Sequence, residues 1–325
     1  MSETFDDGKS SPEPGVRESG YRLPAETRLG RVRLQISDLA RSLEYYERVL
    51  GFRVVARAAD LAVLATLDSG TELIELHERK GAAPAPSRGQ LGLFHFAILL
   101  PDRGALGRLH RHLTTLGVYA GASDHLVSEA LYLQDPDGLG IEVYSDRPRD
   151  SWLREGGQLM MDTRPLDIAD LERAAGGESW AGMPAGTSIG HVHLAVGDIV
   201  EAQAYYVEAV GFDRTAWSYP GALFMSAGGY HHHLGVNTWA GAGARPPAED
   251  SARLLDWEIL VPRKEDVAAA AASLRASGYA VQRTEGTAAA EDPWGTGLLI
   301  APSTRAASTE GTGRGPSIST TRDGG

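Results

Sequence analysis

Not one cysteine occurs among the 325 residues, which excludes disulfides, thiolate metal ligands and a cysteine nucleophile. That absence fits a reducing cytoplasm, the compartment expected for this chain. No apolar stretch approaches the roughly 20 residues of a bilayer-spanning helix. Residues 1–20 are acidic and rich in Ser and Pro, without the apolar core of a signal peptide. Basic residues are in the minority, with 31 Lys and Arg against 43 Asp and Glu and a net charge of −12. The excess of cations with which a dedicated nucleic-acid binder neutralises phosphates is therefore missing. What is present is 42% hydrophobic and 23% charged residues, the balance of a folded chain with length for about two domains.

The chain repeats itself. RVRLQISD at 31–38, HFAILLPD at 95–102 and HVHLAVGD at 191–198 are three openings of one pattern, and DWEILVP at 256–262 is a weaker fourth. Each opening reads as a short aliphatic strand. In the first three an Asp follows, placed to cap a helix. The apolar spacing predicts helices over 39–50, 103–116, 199–210 and 265–277, each ending at a glycine (Gly51, Gly117, Gly211, Gly278). Three short β-like runs complete each unit, so the unit is βαβββ. The fold class expected is α+β, four βαβββ repeats paired into two domains of curved mixed sheet. Disordered tails are expected over 1–28 and 303–325. Units one and two fall in 29–146, units three and four in 188–302, with a Pro/Gly/Asp-rich linker over 147–187 that carries a short helix near 168–175.

These openings, with YYERVLGF at 45–52 and DPDGLGIEVY at 135–144, resemble the vicinal oxygen chelate superfamily of glyoxalases, bleomycin-resistance proteins and extradiol dioxygenases. The longer strings at 95–103, 123–148 and 226–241 resemble its two-domain catechol-2,3-dioxygenase-like members. The resemblance implies glyoxalase-like domains and a metal held in the concavity where two units pair. Its ligands would come from the first position of an opening strand and from a unit's last strand. Unit one offers Arg31 at the opening position, a permanent cation. Unit four offers Asp256 there, but Leu299 where a carboxylate is needed. Unit two offers His95 and Glu142, and unit three offers His191. Two histidines and one carboxylate suit Fe(II), with Mn(II) as the alternative ion. The set requires unit two to pair with unit three and unit one with unit four; pairing in sequence order is the competing arrangement.

The resemblance also implies catalytic roles for His232, Tyr132 and His125. Strand alternation across the run 231–233 would put His232 on one face and His231 with His233 on the other, so either His232 or His233 faces the metal. Tyr132 stands ten residues before Glu142, and His125 would be oriented by Asp124. The function expected is an extradiol-type ring-cleaving dioxygenase acting on a catechol or related dihydroxylated aromatic with O2. No nucleic-acid or membrane partner is expected, and a homo-oligomer is left open. The alternatives on the same fold are a glyoxalase-like isomerase or transferase and a non-catalytic protein that binds aromatic drugs.

Overall fold

The computed structural model describes residues 15, 20–67, 70–284 and 286–303. Two eight-stranded sheets carry the fold. Repeat one supplies strands Arg28–Ile36, Arg53–Arg57, Leu61–Ala65 and Glu72–Glu78, and repeat four supplies Arg253–Val261, Gln282–Thr284, Thr287–Glu291 and Gly297–Pro302; together they form one sheet. Repeat two (Gly92–Leu99, Gly121–Asp124, Ser128–Gln134, Gly140–Asp146) and repeat three (Ser188–Ala195, Asp213–Ala216, Ala222–Ser226, Leu234–Asn237) form the other. In each sheet the two opening strands run antiparallel at the centre, and each lies parallel to the last strand of its own repeat. Unit two thus pairs with unit three and unit one with unit four, as the ligand set requires. The segments 29–146 and 188–302 each contribute half of both sheets.

The helices begin and end where capping chemistry dictates. Asp38, Asp102 and Asp198 accept backbone N–H groups from Arg41, Ala105 and Glu201. Repeat two keeps a regular helix over Arg103–Leu116. In repeats one and three the expected single helices change pitch: Leu39–Tyr45 continues as a π-turn over Tyr46–Leu50, and Ile199–Gln203 as one over Ala204–Val210. The widened turn carries Tyr46 and Tyr206 into the core, where both are fully buried. Their hydroxyls donate to Asp135 (3.3 Å) and Asp292 (2.8 Å), the first residues of the DPDG and DPWG turns. Each link joins a repeat of one sheet to a repeat of the other, and a single apolar cluster runs through both sheets.

Two stretches depart from expectation. The segment from Tyr21 to Thr27, expected within the N-terminal tail, is packed: Leu23 is buried, and Arg22 pairs with Asp213 at 2.8 Å. The remainder of both expected tails lies almost wholly outside the described residues. The linker forms a small hairpin (Arg154–Glu155 with Gln158–Leu159) and a helix over Ile168–Ala174. At Arg164 it bonds to Asp124 through both backbone groups, extending the edge of the second sheet. Among the described residues no helix is long and apolar enough to cross a membrane.

Candidate metal centre

His95 and His191 sit on the two central strands of the second sheet, and Glu142 sits on the last strand of repeat two. One donor atom from each lies within 4.8 Å of the others, and among the described residues they form the one such group of three. Both imidazoles aim Nε2 at the same carboxylate oxygen, Glu142 Oε2, at 3.0 Å for His95 and 3.3 Å for His191. The His95 approach is off the hydrogen-bond line, so its Nε2 is buried without a hydrogen-bond partner. All three residues are buried, none more than 6% exposed.

The electrostatics follow from that crowding. Burial pushes the His191 imidazole down to about 4, against the pull of Glu142, so it is neutral at pH 7. Burial also works against the charge of Glu142, but His191 and His95 outweigh it and hold the carboxyl well below the usual range. A neutral His191 beside an ionised Glu142 leaves a carboxylate charge in a buried place, an arrangement that a cation relieves. The stray Nε2 of His95 and the shared oxygen fit a divalent ion bound to a 2-His-1-carboxylate set.

The other repeats show why there is one such centre. By strand register Gly235 occupies in repeat three the place of Glu142, and a Cβ there would stand 3.1 Å from the His193 ring. His193 fills that space, held by Asn237, whose amide donates to its Nε2 at 2.9 Å. In the first sheet the same register puts Glu75 at the carboxylate position, a carboxylate not singled out in the sequence. Guanidinium groups take the place of an ion there: Arg31 lies 3.3 Å from Glu75, and Arg33 pairs with Asp256 at 2.8 Å.

A cavity of about 250 Å³ opens over the three residues. His232, Tyr132 and His125 line it, and its apolar walls include Phe94, Phe224 and Trp239. A larger cleft of about 740 Å³ lies between the sheets, lined by His233 and Tyr230, and does not include the buried triad. The run 231–233 precedes the strand Leu234–Asn237 rather than extending it, so the expected alternation does not apply; all three imidazoles are buried. His232 lies over His191, ring centroids 4.1 Å apart, whereas His233 accepts from the Ala227 N–H at 3.2 Å on the other side.

His125 Nδ1 donates to the carbonyl of Asp162 at 2.7 Å, leaving Nε2 to accept from the Tyr132 hydroxyl at 2.6 Å. The orienting group is thus a linker carbonyl and not Asp124, whose carboxylate is occupied by the Leu126 N–H and by Arg147, both at 2.8 Å. Met161 and Thr163 of the linker close the same side of the cavity. Nothing in the linker's composition marked these residues, since they carry no periodic pattern.

The model of the Glyoxalase/Bleomycin resistance protein/Dioxygenase superfamily matches residues 28–143 and 188–297. The chain belongs to that superfamily. Within it, the chain is 43% identical over 271 residues to the catechol-2,3-dioxygenase of Bacillus subtilis (strain 168), covering 82% of this chain and 94% of that protein. It is 28% identical over 162 residues to biphenyl-2,3-diol 1,2-dioxygenase 3 of Rhodococcus globerulus, covering 47% of this chain and 85% of that protein. The crystal structure of glyoxalase I from Zea mays is similar in fold, with a TM-score of 0.52 at 16% identity over 85% of this chain and 92% of that one.

Proposed function

We propose that this superfamily member is a metal-dependent extradiol-type dioxygenase that opens the ring of a catechol or related dihydroxylated aromatic with O2. The observation that carries the reading is the convergence of His95, His191 and Glu142 beneath an aromatic-walled cavity. The 43% identity to a catechol-2,3-dioxygenase over 82% of the chain supports the choice of reaction. Fe(II) is the proposed ion, with Mn(II) as the alternative, and His95, His191 and Glu142 would hold it. Bound there, it would supply neighbouring coordination positions for substrate oxygens and O2, and a path for electrons between them.

The protein's own residues would do the rest. Phe94, Phe224 and Trp239 give a flat ring apolar surface and keep water from the reacting atoms. A cavity of about 250 Å³ suits a small aromatic. Tyr132 would stay protonated, because burial and Glu142 raise its hydroxyl well above the usual range. With that proton given to His125, its oxygen would accept from a substrate hydroxyl. His125 would fix the direction of that hydroxyl through its own bond to the Asp162 carbonyl. His232, lying over His191, would handle protons on the oxygen side. The absence of cysteine and the small-molecule substrate are consistent with the cytoplasm, where we place the enzyme.

Metal analysis after anaerobic purification, followed by O2 uptake with catechol, tests the reading. About one iron or manganese per chain and O2 consumption with a yellow ring-opened product are expected. A metal-loaded protein that binds dihydroxylated aromatics tightly without consuming O2 would overturn it in favour of sequestration.

A further inference from the structure

Behind His232 lies a hydrogen-bonded network that the proposed chemistry does not account for. His232 Nδ1 is 2.7 Å from His231 Nδ1, and His231 Nε2 is 2.8 Å from Asp146 Oδ1. From the other side the Tyr230 hydroxyl donates to the same Asp146 oxygen at 3.2 Å and lies 2.6 Å from the Tyr144 hydroxyl, which must then donate to it. His231 has no solvent exposure and His232 has 5%. Trp152 covers the His231 ring at 5.2 Å between centroids.

Directions in this network are set by its end. An ionised carboxylate only accepts, so His231 presents Nε2–H to Asp146. With its Nε2–H given to Asp146, His231 can offer Nδ1 as the acceptor in the short contact between the two Nδ1 atoms, and the one proton held there then comes from His232. We infer that Asp146 and His231 are positioning residues that fix His232 as its Nδ1–H tautomer, leaving its Nε2 as a bare acceptor beside the metal triad. Strand alternation explains how the sequence achieves this: Glu142, Tyr144 and Asp146 share one face of the strand Gly140–Asp146. The ion-binding carboxylate and the tautomer-fixing carboxylate therefore come from a single strand.

The consequence rests on the ring-cleavage reading. With Nε2 bare, the first proton His232 handles is one that it takes. The O–H bond of a substrate hydroxyl breaks and an Nε2–H bond forms, leaving a substrate oxyanion and an imidazolium whose charge the network stabilises. His232 can return that proton to an oxygen only afterwards.

Long-range 1H–15N correlation on histidine-labelled protein, metal-free and loaded with Zn(II), reads the tautomer directly. Wild type is expected to carry the His232 proton on Nδ1 in both forms. Asp146→Ala is expected to give a mixture of His232 tautomers and a kcat for O2 uptake lower by about tenfold or more, with unchanged metal content. Asp146→Glu, which restores the acceptor, is expected to return both toward wild type. A wild-type His232 protonated on Nε2 would overturn the inference, whether or not the Ala variant folds. So would an Asp146→Ala protein whose His232 tautomer matches wild type. If no dihydroxylated aromatic is turned over by any of these proteins, the ring-cleavage reading fails, while the tautomer shift still decides the positioning role.

Discussion

Glu142 gathers two imidazoles onto one oxygen, so its charge and not its bulk organises the centre. Glu142→Gln keeps the shape and removes the charge. Metal content should fall about tenfold or more, with far-UV circular dichroism unchanged. Equal metal in variant and wild type would contradict the assignment. His232 lies over His191 without joining the group of three. His232→Ala should therefore retain metal within about twofold while kcat falls by about a hundredfold, as O2 uptake and metal analysis would read in parallel. The convergence of His95, His191 and Glu142 was legible in the sequence because repetition supplies an internal ruler: equivalent positions could be compared, and units two and three alone combine two opening histidines with a last-strand carboxylate. His231, Asp146 and the Asp162 carbonyl were not. Their roles depend on contacts between segments that no repeat aligns, and Asp124 looked like the orienting group only because it is adjacent to His125.

The π-turns matter at the scale of elements because they set where two tyrosines point. Tyr206→Phe removes the bond to Asp292 while filling the same space. Asp292 keeps its backbone donors from Trp294 and Thr296, so the expected cost is about 1–2 kcal/mol in urea unfolding. A loss below a few tenths would mean that the DPWG turn is held by its backbone bonds alone. Helix positions and their glycine stops followed from apolar spacing and from the need for positive φ, which Gly51 (82°) and Gly211 (99°) adopt. The change of pitch inside two helices did not follow, because an extra residue in a turn leaves the apolar pattern almost intact. The linker's packing over the cavity was equally hidden, since its contacts are irregular.

For the molecule as a whole, burying neutral histidines makes stability depend on pH. Burial pushes His233 down to about 3, below the ordinary value of 6.5. The unfolded chain therefore takes up a proton first, and the contribution of His233 is complete above about 6.5 and lost as pH falls toward 3. Asp135 opposes it: burial raises its carboxyl to about 6, which favours the folded state at acid pH and loses that effect as pH rises from 3.8 to 6. Between pH 6.5 and 6 the histidine contribution stands without that offset. Urea midpoints of the metal-free protein should fall across this window, and less steeply for His233→Asn, by up to about 1.4 kcal/mol per pH unit. Identical slopes would show that His233 titrates alike folded and unfolded. The nesting of the repeats has a temporal side as well. During synthesis repeats two and three can close their sheet as soon as both have left the ribosome, whereas the edge of the strand Arg28–Ile36 waits for Arg253–Val261. The earliest-made unit is thus the last to be completed, and its open edge is the place where a growing chain is most exposed to mispairing with another.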